Sequence, residues 1–230
     1  MPESISHDFY VLPVEEDVYY DYNGRPEDAI LNAFKNSGWQ GCHTEGHMIQ
    51  AILRTLVLPG IIEYSPLAKW KTENAYVHQL HGALRMCIEP PLELASPRFD
   101  EETFKEVFHY ILEQRYRFNM RILQKDYDDI ATAHADVWPK PPPPRFNIEP
   151  FLRLLPLNLW KNLLDAFLVK YDLISHGWPD LEITDGSQVI LAEIKVKDHL
   201  TAWQVQTIPI LGRIGFNCRI FRIKPESQKP

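Results

Sequence analysis

The sequence predicts an α/β (α+β) fold, with strands gathered in the C-terminal third of its 230 residues and helices filling most of the rest. Three observations predict it. Val189 to Val196 is an apolar, β-branched run behind the turn Thr184-Asp185-Gly186-Ser187, so it reads as the second strand of a hairpin whose first strand is Leu181 to Thr184. Apolar residues recur at helical spacing in Met48, Ile49, Ile52 and Leu53, in Phe104, Val107, Phe108, Ile111 and Leu112, and in Leu159, Leu163 and Phe167. Thr201-Ala202-Trp203-Gln204 reads as a capping box that opens a last helix, and Cys218 to Ile223 after it as an edge-capable strand.

Met1 to Gly24 is acidic and tyrosine-rich without a clear period, which predicts an irregular arm packed on the body. Pro26-Glu27-Asp28 opens a helix, with proline in the first turn, acids at the positive end of the dipole and Gly38 as the stop. Gly41 to His47 leads into a second helix, Met48 to Leu58, ended by Pro59-Gly60. Counted along that helix, Glu45 falls on the stripe of Met48, Ile49, Ile52 and Leu53, an odd place for a charge. Spacing alone leaves two readings open, an acid at the helix N-terminus behind Thr44 and a functional carboxylate. His43 and His47 are four apart, but Glu45 is one place too late for a zinc-binding HExxH, so both are read as surface or supporting histidines.

Arg85 to Phe99 is broken by Pro90-Pro91 and Pro97 and reads as loop. Asp100-Glu101-Glu102 caps a long helix that should reach about Lys125. Trp138 to Arg145, WPKPPPPR, is a stiff extended connector, and it divides the chain into an arm (1–24), a helical region (25–144) and a C-terminal unit (145–230). In the last helix Pro209 should force a kink or an early end, and Gly215 marks the stop.

Hydrophobic residues make up 45% of the chain, enough for a substantial core. No apolar run approaches a membrane span and Met1-Pro2-Glu3-Ser4 lacks a signal-peptide profile, which points to a soluble intracellular protein, nuclear or cytoplasmic according to its host. Cys42, Cys87 and Cys218 form neither a disulfide framework nor a zinc pattern. The net charge of −7 argues against avid binding to phosphate backbones. Its distribution softens that, because residues 145–230 hold 11 Lys+Arg against 9 Asp+Glu.

Alternation along the second hairpin strand puts Val189, Leu191, Glu193 and Lys195 on one face. A strand apolar on both faces is buried, and burying an unpaired carboxylate costs several kcal/mol, so Glu193 needs a partner. Lys195 is one candidate and a divalent cation the other. Asp180, at the start of the first strand, comes near Glu193 if the hairpin pairs across its turn. Two hard oxygen ligands beside a lysine suit Mg²⁺ or Mn²⁺.

Pro179-Asp180 followed by Glu193-Ile194-Lys195 resembles the PD-(D/E)xK nucleases. The surrounding Gly177-Trp178-Pro179-Asp180-Leu181 and Asp198-His199-Leu200-Thr201-Ala202-Trp203-Gln204 are similar to the VRR-Nuc signature, though Val196 and Lys197 stand where many members have Gly-Pro. His43-Thr44-Glu45-Gly46 looks like the helical motif of the Fanconi-associated nuclease branch, and Pro91-Leu92-Glu93-Leu94 like its PLDL segment, with Glu93 in place of aspartate. The resemblance implies a restriction-endonuclease-like core, a small mixed sheet flanked by helices with a large helical insertion, over roughly Asn32 to Ile223. It implies a metal-dependent DNA nuclease of repair, with Glu45, Asp180, Glu193 and the Ile194 carbonyl binding Mg²⁺ or Mn²⁺ and Lys195 catalytic. Gln204 would lie near the active site, and Lys197, Arg219 and Arg222 are weaker candidates for phosphate. The implied partner is flapped or branched DNA. A dimeric Holliday-junction enzyme, an antibacterial toxin with an inhibitory partner and a non-catalytic DNA-binding protein stay open as alternatives. The further domains of full-length Fanconi-associated nucleases are expected to be missing.

Overall fold

The computed structural model describes residues 12–64, 101–134 and 146–229. A five-stranded mixed sheet organises them. Its strands are β1 (Glu15–Tyr19), β2 (Gln40–His43), β3 (Leu181–Thr184), β4 (Val189–Lys195) and β5 (Asn217–Lys224), in the order β1-β5-β4-β3-β2. The β2–β3 and β3–β4 pairs are antiparallel, and β4–β5 and β5–β1 are parallel. The expected hairpin is β3–β4, closed by Asp185, whose Oδ1 accepts the Ser187 and Gln188 amides at 2.8 and 3.0 Å. Leu181 lies opposite Ala192, so one further step of the register sets Asp180 against Glu193.

Seven helices are described: α1 (Pro26–Asn36), α2 (His47–Tyr64), α3 (Glu101–Tyr116), α4 (Met120–His134), α5 (Glu149–Leu154), α6 (Leu157–Ile174) and α7 (Ala202–Ile214). One face of the sheet, with Leu191, Val189, Cys42 and Cys218, packs into the larger core with α2, α6 and α7. The other, with Leu181, Ile183, Ile190, Ala192 and Ile194, packs on Ile30 and Leu31 of α1. The expected stops hold, with Gly38 just past α1 at φ +87° and Gly215 capping α7 at φ +119°.

Four local expectations need correction. The arm is not wholly irregular, because Glu15–Tyr19 adds a parallel strand to β5. Charge complementarity holds it there: Glu15 pairs with Arg222 at 2.6 Å, Glu16 with Arg219 at 3.4 Å and Asp17 with Lys224 at 2.5 Å. β5 is therefore an inner strand. The long helix beginning near Asp100 is two, since α3 ends at Tyr116 and the Asn119 side chain accepts the Arg121 amide at 2.8 Å to start α4.

Both helix-breaking prolines are carried inside helices. α7 runs through Pro209, and burial of Ile208, Ile210 and Leu211, each worth about 1.5–3 kcal/mol, outweighs the proline cost of about 3 kcal/mol. α2 likewise passes Pro59 and Gly60, and Gly60 serves packing instead of termination. A Cβ there would lie 2.4 Å from Ile111 Cγ2 of α3. The Pro-rich connector, the loop of Arg85 to Phe99 and Glu93 lie outside the described residues. No described helix is long and apolar enough to cross a membrane.

Candidate functional site

The C-terminal ends of β2 and β4, the start of β3 and the N-terminus of α7 meet at one end of the sheet. Glu45 enters from the turn between β2 and α2. It is not on the apolar stripe of the helix, because α2 begins only at His47 and its buried face starts at Met48. Glu45 has φ +52° and Gly46 φ +82°, and this left-handed pair reverses the chain between strand and helix. Only glycine fits at 46, where a Cβ would stand 2.2 Å from Trp178 Cδ2. The Glu45 amide donates to the Asp180 carbonyl at 3.3 Å, tying the turn to the start of β3. The Glu45 side chain is 41% exposed.

Thr44 fastens the same turn from beneath. Its hydroxyl accepts the Met48 amide at 3.2 Å and donates to Glu182 Oε2 at 2.7 Å. Glu182, within β3, is fully buried, and burial pushes its carboxyl up to about 8 against the hydrogen bonds it accepts.

Donor atoms of His43, Glu45 and Asp180 all lie within 4.8 Å of one another. Asp180 Oδ2 accepts the Ile194 amide at 2.8 Å. Burial raises the Asp180 carboxyl, opposed by that amide and by the Lys195 charge. Glu193 is fully buried, and its Oε1 receives both Lys195 Nζ and Gln204 Nε2 at 2.7 Å. Its Oε2 is buried without a hydrogen-bond partner. Burial and the neighbouring Asp180 charge push Glu193 up to about 8. For Lys195 burial pulls the ammonium down, but its contacts with Glu193 and with Asp198 at 3.2 Å outweigh that and raise it.

Gln204 holds two positions at once. Its Oε1 accepts the Thr201 amide at 2.9 Å while the Thr201 hydroxyl accepts the Gln204 amide at 3.2 Å, which is the expected capping box. Its Nε2 reaches Glu193. The structure thus brings together Glu45, Asp180, Glu193, Ile194, Lys195 and Gln204.

Lys197 is exposed just past β4. Arg219 and Arg222 are engaged with the acids of β1, and Arg222 also donates to the Val196 and Asp198 carbonyls at 3.3 and 3.4 Å. Sequence reasoning missed that pairing because it gave the arm no strand.

It also passed over Glu182, and it reads His43, which ends a strand, as a surface or supporting histidine and not as a ligand. For Glu182 the signal was present in the alternation that sets it on the same face as Asp180. Two carboxylates and a buried imidazole, those of Glu45, Asp180 and His43, make a donor set that fits a divalent cation, and Glu193, with one buried oxygen unpartnered, lies beside Asp180.

No protein-family model and no curated protein matches the chain by sequence. Among solved structures, paFAN1 bound to 2-nucleotide 5′-flap DNA with a gap aligns at a TM-score of 0.52 and 14% identity, over 91% of this chain and 37% of that one. The same protein with 1-nucleotide 5′-flap DNA aligns at 0.49 and 14%, over 93% and 38%. The chain thus spans little more than a third of the length of these structures. The first likeness shows the fold, a mixed sheet flanked by helices of the kind that the resemblance to Fanconi-associated nucleases implied.

Proposed function

We propose that the chain is a metal-dependent DNA nuclease that hydrolyses phosphodiester bonds in 5′-flap or otherwise branched DNA during repair. The observation that carries this reading is the meeting, at one end of the sheet, of residues from three separate segments: Glu45 beside Asp180, and Asp180 beside the Glu193–Lys195 pair of β4. Such a set is costly as mere structure. Each buried carboxylate loses hydration, and Glu193, like Glu182 behind it, leaves one oxygen unpaired. The fold shared with paFAN1, a structure that holds flap DNA, supports DNA as the substrate class.

Glu45, Asp180 and Glu193, with the Ile194 carbonyl, would hold Mg²⁺ or Mn²⁺, and such an ion supplies charge stabilisation at phosphoryl oxygens and a nucleophile at neutral pH. The remaining work falls to the chain. The Ile194 amide fixes the Asp180 carboxylate, and Gln204 fixes Glu193 in one rotamer. Lys195, held charged between Glu193 and Asp198, directs its N–H donors toward the attacking water and the extra negative charge of the pentacovalent transition state. Lys197, exposed at the rim, suits a phosphate contact. Arg219 and Arg222 would do so only by exchanging their β1 partners.

Cleavage of labelled 5′-flap, Holliday-junction and single-stranded DNA in Mg²⁺ and in Mn²⁺ tests the reading, with Asp180→Ala and Lys195→Ala alongside wild type. Metal-dependent cutting of the flap that both variants lose is the expected result. Folded wild-type protein that cuts none of the three substrates would overturn it.

A further inference from the structure

His43 is not among the ligands that the nuclease reading requires, yet its surroundings are those of one. The side chain is 9% exposed, and it ends β2 directly before the turn that presents Glu45. Its Nδ1 faces Asp28 Oδ1 of α1 at 3.3 Å. A carboxylate on Nδ1 holds the proton there and leaves the Nε2 lone pair free. Nε2 is buried and has no hydrogen-bond partner. It stands 4.0 Å from Glu45 Oε1, within the cluster that includes Asp180.

A buried ring nitrogen left unsatisfied costs about 1–3 kcal/mol, and here it stands beside two carboxylates, where a bound cation would recover that cost. An imidazole oriented by a carboxylate behind it, with its second nitrogen turned on two acids, is the usual build of a metal-bound histidine. Asp28 stands in the first turn of α1, where the helix dipole favours an acid, and from there its carboxylate also reaches the ring.

We infer that His43 is a nitrogen ligand of the cation held by Glu45 and Asp180, with Asp28 as its positioning residue, and that this donor turns the site from Mg²⁺ toward first-row transition ions. The inference deepens the nuclease reading by naming the class of metal. Mg²⁺ seeks oxygen ligands and gives up water reluctantly, so an imidazole adds little for it. Transition ions from Mn²⁺ onward accept nitrogen and oxygen together.

Mn²⁺ is the probe, added to the full chain without DNA and followed by electron paramagnetic resonance. The expected result is one tight site whose pulsed spectra show coupling to a nitrogen nucleus. That coupling should change when the protein carries ¹⁵N-labelled histidine and disappear in His43→Gln. Mn²⁺ affinity should fall about 10- to 100-fold in His43→Gln, while Mg²⁺ affinity, read by competition, moves less than about threefold. Asp28→Asn, which keeps the shape of α1, should weaken Mn²⁺ in the same direction by a smaller factor.

A site that binds Mn²⁺ without nitrogen coupling would overturn the inference, as would equal losses of Mg²⁺ and Mn²⁺ in His43→Gln or no Mn²⁺ binding by folded protein. Cleavage is read separately. Nitrogen-coupled Mn²⁺ on a chain that cuts no DNA supports His43 as ligand and sinks the nuclease reading alone.

Discussion

Glu182 and Glu193 lie on the same face of the same sheet, in neighbouring strands, both fully buried and both pushed up to about 8, yet their surroundings differ in kind. Glu193 faces an ammonium at 2.7 Å and an amide, and its charged neighbour Asp180 is only partly covered. Glu182 faces neutral groups only, the Thr44 hydroxyl, the Thr44 and Gly46 amides and the Cys42 thiol at 3.8 Å. Burial raises that thiol too, with the Glu182 charge adding to the effect. A raised carboxyl therefore does not by itself mark chemistry. On the nuclease reading the pocket with a cation beside it is the one equipped for a reaction, and the pocket with hydroxyl and amide donors holds the turn that carries Glu45.

The sharpest way to break that contrast is to neutralise each acid in turn. Glu193→Gln removes the charge that pairs with Lys195 and, on the nuclease reading, an anionic metal ligand, and flap cleavage should fall about 10³-fold. Glu182→Gln keeps an oxygen for the Thr44 hydroxyl and should cost less than about tenfold in the same assay. Equal losses in the two variants would mean that both carboxylates belong to the reaction.

Next in size is the effect of pH on stability. A carboxyl that titrates near 8 when folded and near 4.5 when unfolded keeps its proton in the native state across that interval. The native chain then binds more protons than the unfolded one, so stability is greatest at the acid end and declines as pH rises toward 8. Each unit is worth about 1.4 kcal/mol, so Glu182→Gln should spare roughly 2–3 kcal/mol of the wild-type loss between pH 6 and pH 8. Urea unfolding in EDTA at the two pH values measures it. Glu193 contributes a slope of the same sign in both proteins, which leaves the difference to Glu182. Parallel pH profiles would show that Thr44 and the two amides stabilise the charged form better than burial destabilises it.

The hairpin, the capping box and the acids on it were legible because they are local. Alternation over β4, a turn closed by Asp185 and a Thr-x-x-Gln pattern are decided within a few residues, and so is the placement of Asp180 against Glu193. β1 was not legible, because a parallel edge strand is specified by a partner some 200 residues on, and its acids read as a solvated run until Arg219, Arg222 and Lys224 stand opposite. The end of α3 depended on Asn119 capping the next helix, a weaker signal than the apolar stripe that runs across it. Glu45 was found by motif and misplaced by periodicity, since helical counting was carried back through two residues whose positive φ angles end the helix. His43 became visible only when β2 and α1 set Asp28 behind it.

The smallest test separates the two tasks of Gln204. Gln204→Leu removes the cap contact and the donor to Glu193 together, leaving Oε1 to Lys195 alone, and cleavage should drop 10- to 100-fold. Thr201→Ala removes the cap hydroxyl only, which costs about 1 kcal/mol of stability. Nothing in that change touches the bond from Nε2 to Glu193, so its cleavage rate should stay within about threefold of wild type when measured well below the melting temperature. If Thr201→Ala instead lost as much activity as Gln204→Leu, the start of α7 would be what positions Glu193, and the equipped pocket would depend on a helix cap as closely as the Glu182 pocket depends on Thr44.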